Sequence, residues 1–343
     1  MHKSRRITYQ EAVNEALAQE MRRDSRVFIM GEDVGVYGGS YGVLTGLVDE
    51  FGPQRVIDTP ISEAGFTGAA VGAAMTGTRP VVEIMYSDFL TVAMDQIVNN
   101  AAKMRYMFNG AFSVPMVIRS PVGSGTGAAA QHSQCTEAWF AHVPGLKVAV
   151  PATPYDAKGL LTAAIRDDNP VLVFEPKTLY RETGEVPEEP YTVELGKARV
   201  CRDGDDVTVI TYGRMVPLAL EAAAQLESHD GITCHVVDLR TLTPLDEEAV
   251  IRGAERTGRV LILHEAVKTG GFGAEVAARI AEHPVSLTLK TPLVRVCGKD
   301  VPIPFSQTLE EAAVPGMEEL LQSVRRMVRQ ETGNSGRSCR KAV

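Results

Sequence analysis

No stretch of this sequence approaches the roughly 20 consecutive apolar residues that span a bilayer, so no membrane association is expected. Cysteine is sparse. Cys135, Cys201, Cys234, Cys297 and Cys339 are odd in number and share no metal-ligand spacing, which argues against a disulfide framework or structural zinc and fits a reducing cytoplasm. There is no basic excess either: 35 Lys and Arg stand against 43 Asp and Glu, and the net charge of −8 argues against a nucleic-acid partner. The opening Met1–Arg6 is basic but leads into Gln10, Glu11 and Asn14 instead of an apolar signal core, and no Arg/Ser-rich transit segment is expected. No Ser-His-Asp elbow, His-Glu-x-x-His or P-loop lysine motif occurs.

What is present is enough apolar sequence for two cores: 343 residues, 44% of them hydrophobic. Thr8 and Glu11 form a capping box ahead of a periodic helix over Tyr9–Arg23. Short apolar strands are expected at Val27–Met30, Pro80–Met85, Pro115–Arg119, Leu146–Val150 and Val171–Glu175. They alternate with helices near Ala64–Thr76, Asp88–Tyr106 and Pro154–Asp167. Such alternation indicates parallel strands covered on both faces. A Glu/Pro-rich loop, Tyr180–Pro190, interrupts it, and the alternation restarts with strands Asp206–Tyr212, Ile232–Leu239, Arg259–His264 and Leu293–Cys297. Helices near Pro217–Glu227, Glu247–Arg256 and Ala274–Glu282 separate these strands. The expected architecture is α/β with two doubly wound domains, over 1–185 and 201–329, a linker over 186–200 and a disordered tail over 330–343.

Two residues stand out chemically. Glu63 lies in Asp58-Thr59-Pro60-Ile61-Ser62-Glu63-Ala64-Gly65-Phe66-Thr67-Gly68, where an extended segment ends and a small-residue helix begins. Pro60 disfavours helix at Thr59, and Ser62 is the expected N-cap. Gly65, Gly68 and Gly72 leave room for a neighbouring backbone. By itself Glu63 reads as a charge satisfying the helix dipole. His132 follows a glycine-rich loop, a position that suits either a structural imidazole or a proton shuttle at a cleft. Gly123–Ala128 nearly matches a dinucleotide fingerprint, but Gln131–Cys135 is not the strand with a closing acid that a ribose needs, so no Rossmann cofactor site is expected. Met85, Tyr86 and Phe89 read as core at that spacing, and His142 and His264 as structural.

Taken in order, Gly31-Glu32-Asp33-Val34, Asp58–Glu63, Asp95-Gln96-Ile97-Val98-Asn99, Ala130–Gln134, Pro144–Val148, Asp156–Leu161 and Val237–Thr241 closely resemble one family. It is the beta subunit of the thiamine-diphosphate-dependent decarboxylating component of 2-oxo acid dehydrogenase complexes. The resemblance covers residues 7–328 and implies a transketolase-like pyrimidine-binding domain followed by a transketolase C-terminal domain. It also implies that Glu63 hydrogen-bonds the aminopyrimidine of thiamine diphosphate and favours the tautomer that deprotonates the thiazolium carbon. Phe89 and Met85 would line that pocket, and His132 would serve lipoyl transfer or the substrate side. Met116, Ala164, Ile165, Asp167 and Asn169 match a structural potassium site formed mostly by carbonyls. The Gly-Asp-Gly motif that binds magnesium and diphosphate in thiamine-diphosphate enzymes is missing. The resemblance therefore implies an alpha subunit that holds magnesium and the diphosphate, an α2β2 heterotetramer, a lipoyl-bearing acyltransferase core, and a small 2-oxo acid substrate. Pyruvate is the first expectation. Phe174–Lys177, Leu179–Arg181, His264–Ala266 and Val296–Gly298 look more like branched-chain enzymes, and Tyr9–Asp33 more like acetoin dehydrogenase. A non-catalytic assembly scaffold is the rival of another class.

Overall fold

The computed structural model describes residues 4–334 and divides into two compact units. The first comprises the chain up to Lys197 together with Arg240–Leu245 and Pro302–Glu310. Its seven-stranded sheet runs Thr241–Thr243, Lys147–Ala149, Val171–Pro176, Val117–Val122, Arg79–Glu83, Val27–Gly31, Val56–Asp58, and all neighbours are parallel except the antiparallel Thr241–Thr243 edge. Thr8 caps Tyr9–Arg23: its hydroxyl accepts from Glu11 N at 3.1 Å while Glu11 Oε2 accepts from Thr8 N at 2.7 Å. The Pro154–Arg166 helix starts with proline in its first turn and Thr153 as cap. Val13, Leu17, Met21, Leu161 and Ile165 from these helices bury against Val27, Ile29, Val81, Val117, Val171 and Val173.

Three expectations are corrected in this unit. The long helix over Asp88–Tyr106 is instead a 3₁₀ turn at Ser87–Thr91, a widened π turn at Gln96–Ala101 and one α turn at Met104–Met107. Asp95 draws the neighbouring amides: Asn99 Nδ2 donates to its carboxylate at 2.7 Å and Asn100 Nδ2 to its carbonyl at 3.2 Å, bonds that compete with a regular ladder. The Tyr180–Pro190 loop contains a strand, Thr183–Pro187, paired antiparallel with Ser4–Thr8. That partner lies far away in sequence and leaves no local periodicity. Ser62 holds the N-cap position but makes no capping bond; with ψ at 71° its hydroxyl turns over Gly65, where an added Cβ would sit 2.7 Å from it.

The second unit comprises Ala198–Leu239, Asp246–Val301 and the chain from Glu311 on. Its sheet order is Val294–Gly298, Val260–Val267, Val207–Thr211, Cys234–Asp238, Arg199–Arg202, parallel except for the last strand. One face packs Val207, Val209, Val236, Leu261 and Leu263 on the helices Met215–Asp230 and Met317–Asn334. The other receives Gly253 of the Glu247–Thr257 helix against Thr208 and Val237, so this sheet too is wound on both sides. The expected tail begins later than 330, because the Met317–Asn334 helix runs through those first positions behind buried Leu320, Leu321, Val324 and Met327. The remainder of that expectation lies outside the described residues.

Candidate functional site

In the first unit the expected residues gather at the carboxyl ends of four neighbouring strands, where open α/β sheets place their ligands. Glu63 follows Val56–Asp58, Glu32 follows Val27–Gly31, Met85 and Phe89 follow Arg79–Glu83, and His132 lies beyond Val117–Val122.

Glu63 opens the Glu63–Met75 helix, where the dipole favours an anion, and is 9% exposed. Glu32 is 6% exposed, and its Oε1 has no hydrogen-bond partner. Burial, then the charges of Glu63 and Asp33, hold its carboxyl above the usual carboxylate range. The loop that carries it is bent by Asp33 at φ 55° and pinned where Gly35 N donates to Asp58 Oδ1 at 2.7 Å. Two buried carboxyl groups thus face one another with an acceptor atom left over, which is costly unless something else fills it.

Phe89 and His132 are brought together directly. Their ring centroids lie 5.2 Å apart at 85°, and Tyr86 packs edge-on against His132 at 4.7 Å and 79°. Ser87 Oγ donates to Gln134 O at 2.7 Å, and Asp88 Oδ1 accepts from Gln134 Nε2 at 2.8 Å, fastening the histidine loop to the aromatic turn. Ala129, at φ 61°, bends the chain just before His132, a conformation that costs free energy in a non-glycine residue. Met85 is half-buried at the end of its strand. The glycine-rich loop is an anion nest already filled from within: Gly125 N and Gly127 N donate to the buried Glu310 carboxylate at 2.7 and 3.1 Å.

Beneath this rim lies a closed ionic cluster. Arg119, 1% exposed, donates to Glu175 at 2.9 and 2.7 Å and also to Glu83, and the Tyr180 hydroxyl donates to Glu175 at 2.8 Å. Burial disfavours the cation, but Glu175 and Glu83 together hold it charged; burial pushes the Glu83 carboxyl up.

The five expected potassium ligands do gather, around the 164–169 turn beside Met116. Yet Arg79 already donates to the carbonyls of Ile165 and Asp167, both at 2.9 Å, and the Asp167 carboxylate pairs with Lys147. Against its burial, Lys147 and Asn169 hold the Asp167 carboxyl below the usual range. Two cations of the chain thus serve this turn. Among the described residues no three His, Cys, Asp or Glu side chains converge on a metal-sized centre.

In the second unit His264 and Cys297 form a separate buried pair. His264 Nδ1 lies 3.0 Å from Ala266 O, and Nε2 lies 3.3 Å from Cys297 Sγ. A proton on Nδ1 donates to the carbonyl, which leaves Nε2 to accept from the thiol. Burial lowers His264 to about 4 and raises Cys297 to about 11, so both are neutral at pH 7.

Sequence reasoning gave no role to Glu32, Tyr86 or Lys177. Lys177, 5% exposed, donates from Nζ to His132 O and sits 5.2 Å from the Tyr86 ring centroid. Its signal and that of Glu32 were the same: a charged residue just past the carboxyl end of an apolar strand.

Residues 5–183 match the family described as transketolase, pyrimidine binding domain, and residues 196–320 match transketolase, C-terminal domain. The chain is 51% identical to the 2-oxoisovalerate dehydrogenase subunit beta of Bacillus subtilis (strain 168), over 89% of this chain and 93% of that one. It is 46% identical to the pyruvate dehydrogenase E1 component subunit beta of Rhizobium meliloti (strain 1021), covering 93% and 69%. Identity is also 46% to the acetoin:2,6-dichlorophenolindophenol oxidoreductase subunit beta of Bacillus subtilis (strain 168), covering 93% and 96%. Among solved structures a split-gene transketolase, titled an inactive beta4 tetramer, superposes with a TM-score of 0.76 at 25% identity, covering 95% of this chain and 99% of that one.

Proposed function

Because this chain belongs to the family of beta subunits of 2-oxo acid dehydrogenase complexes, with its transketolase-like two-domain fold, we propose that it supplies the proton-handling half of a shared thiamine-diphosphate site. With an alpha subunit it would decarboxylate a 2-oxo acid oxidatively and pass the acyl group to the lipoyl group of an acyltransferase core. The observation that carries the reading is the buried Glu63–Glu32 pair with its unpartnered oxygen. Thiamine diphosphate, when bound, supplies a carbanion-stabilising thiazolium and an aminopyrimidine whose ring nitrogens need a proton donor and acceptor.

The residues present fit that group. Glu63 would hold or give a proton at its carboxyl oxygens; burial and the neighbouring Glu63 charge make the ionised form of Glu32 less favourable than for a free carboxyl. Phe89 offers a flat wall for a heterocycle, and Met85 a polarisable one. His132, set on its bent loop against Tyr86 and Phe89, would move a proton on the acyl-transfer side. Magnesium and the diphosphate are assigned to the alpha subunit in an α2β2 assembly. At the 164–169 turn a potassium ion would share its carbonyls with Arg79, which makes it a supplement to a cation already present. If that ion binds, potassium should raise the melting temperature and sodium should not; equal effects of the two salts would remove it.

The acyl group is the finer part of the proposal. Asp58–Gly68 and Gln131–Cys135 support pyruvate. The 51% identity to the 2-oxoisovalerate enzyme subunit, together with Lys177 of Phe174–Lys177 standing against the His132 loop, favours a branched-chain 2-oxo acid as second reading. Co-expression with the alpha chain, then turnover of pyruvate, acetoin and 3-methyl-2-oxobutanoate, decides between them. Glu63→Gln in the same complex tests the site: a loss of a hundredfold or more, on the order of what a positioned proton carrier supplies, is expected. Unchanged turnover would leave the scaffold reading standing.

A further inference from the structure

Lys177 is a buried ammonium that the reaction as described does not use. Removing such a group from water is costly unless it finds acceptors, so its placement is specific. Its neighbours include the carbonyl oxygen of His132, to which Nζ donates, and the face of Tyr86, 5.2 Å from Nζ. Tyr86 is in turn the ring against which the His132 imidazole stands edge-on, 4.7 Å away.

The wall is anchored behind. Tyr86 is hydrogen-bonded to Tyr41, whose ring lies 5.1 Å from that of Tyr180, and the Tyr180 hydroxyl donates to Glu175 of the buried arginine cluster. A rail of three rings therefore runs from the closed ionic core to the histidine, and Lys177 is the cation that touches its far end and the histidine backbone together.

We propose that Lys177 is a positioning residue for His132: its ammonium fixes the loop through the His132 carbonyl and locks the Tyr86 wall against which the imidazole stands. The proposal rests on the reading of His132 as a proton carrier. The imidazole stands edge-on to Tyr86 and Phe89, Asp88 of the same turn is engaged by Gln134, and Lys177 from the segment after Val171–Pro176 holds the His132 backbone; Tyr41 and Tyr180 stand behind Tyr86.

The test uses the co-expressed α2β2 complex with its lipoyl acceptor. Lys177→Met should lower kcat by about tenfold to a hundredfold, on the scale of misplacing one general acid–base group, with KM for the 2-oxo acid changed less. Lys177→Arg, which keeps a donor for the His132 carbonyl and a cation for the Tyr86 face, should restore most of the turnover. Lys177→Met added to His132→Gln should cost nothing beyond His132→Gln alone. Should Lys177→Met fail to assemble, Tyr86→Leu, which removes the wall the cation locks, should likewise lower kcat with KM for the 2-oxo acid changed less. A wild-type kcat in that variant would overturn the assignment. A Lys177→Met enzyme with wild-type kcat beside an inactive His132→Gln would overturn the assignment alone. A fully active His132→Gln would overturn the reading of His132 and the assignment with it.

Discussion

The first unit leaves a buried Glu32 carboxyl oxygen without a partner, whereas in the second the buried His264 and Cys297 close on one another. Glu32 and Glu63 repel and sit on a rim of strand ends, and among the described residues neither is in a salt bridge. His264 and Cys297 are complementary: thiol to imidazole, imidazole to carbonyl, with Tyr212 stacked 6.0 Å away and Gly271 and Gly273 leaving room for the ring. Both pairs are buried in α/β units of similar construction. The difference lies in satisfaction: the closed pair is folding chemistry, and the open pair is where a ligand completes the hydrogen bonding.

The comparison can be broken most severely at the Arg119 cluster, the closed counterpart within the first unit. Arg119→Met leaves Glu83 and Glu175 buried without their cation and should cost about 3–5 kcal/mol, read as loss of soluble assembled protein or a collapsed melting temperature. A variant that melts like wild type would show that burial alone does not define a closed site here. Glu32→Gln should behave oppositely. It removes a like charge from the open pair, so stability should hold or rise slightly, while turnover should fall at least tenfold, about 1.4 kcal/mol of transition-state stabilisation. Equal turnover would mean the orphan oxygen is incidental.

How much of this was legible depends on whether the signal was local. The strands and helices announced themselves through apolar runs and caps such as Thr8–Glu11. The Thr183–Pro187 strand did not, since its partner Ser4–Thr8 is remote, and the Asp88–Tyr106 helix broke because Asp95 took hydrogen bonds from Asn99 and Asn100. His132 stood out from its own loop and Phe89 took its place from resemblance, but their union depends on Gln134 reaching back to Ser87 and Asp88. Glu32, within Gly31–Val34, carried no legible role, because an unsatisfied oxygen is visible only once its surroundings are folded.

A subtler probe is pH. His264 is held near 4, below its ordinary value of 6.5, so the unfolded chain binds a proton that the native chain refuses. This contribution is present above pH 6.5 and is lost as pH falls toward 4; between pH 7 and pH 5 it amounts to about 2 kcal/mol. His264→Gln should be less stable at pH 7 but should lose less between pH 7 and 5, as denaturation midpoints would record; an undiminished loss would place the acid sensitivity elsewhere. The smallest effect belongs to Cys297→Ser. Its hydroxyl can still donate to Nε2, and the midpoint should move by less than about 1 kcal/mol. A larger drop would show that the sulfur's packing matters more than its proton.

The edge strand Thr241–Thr243 bears on how this protein is made. The first sheet takes its last strand from sequence that leaves the ribosome only after the strands Arg199–Arg202, Val207–Thr211 and Cys234–Asp238, and the anion that fills the Gly125–Gly127 nest arrives still later, at Glu310. A nascent or truncated chain ending near Lys197 therefore presents Lys147–Ala149 as a bare edge and an empty ring of amides, both adhesive. Cutting at the apparent domain boundary would yield an unfinished one.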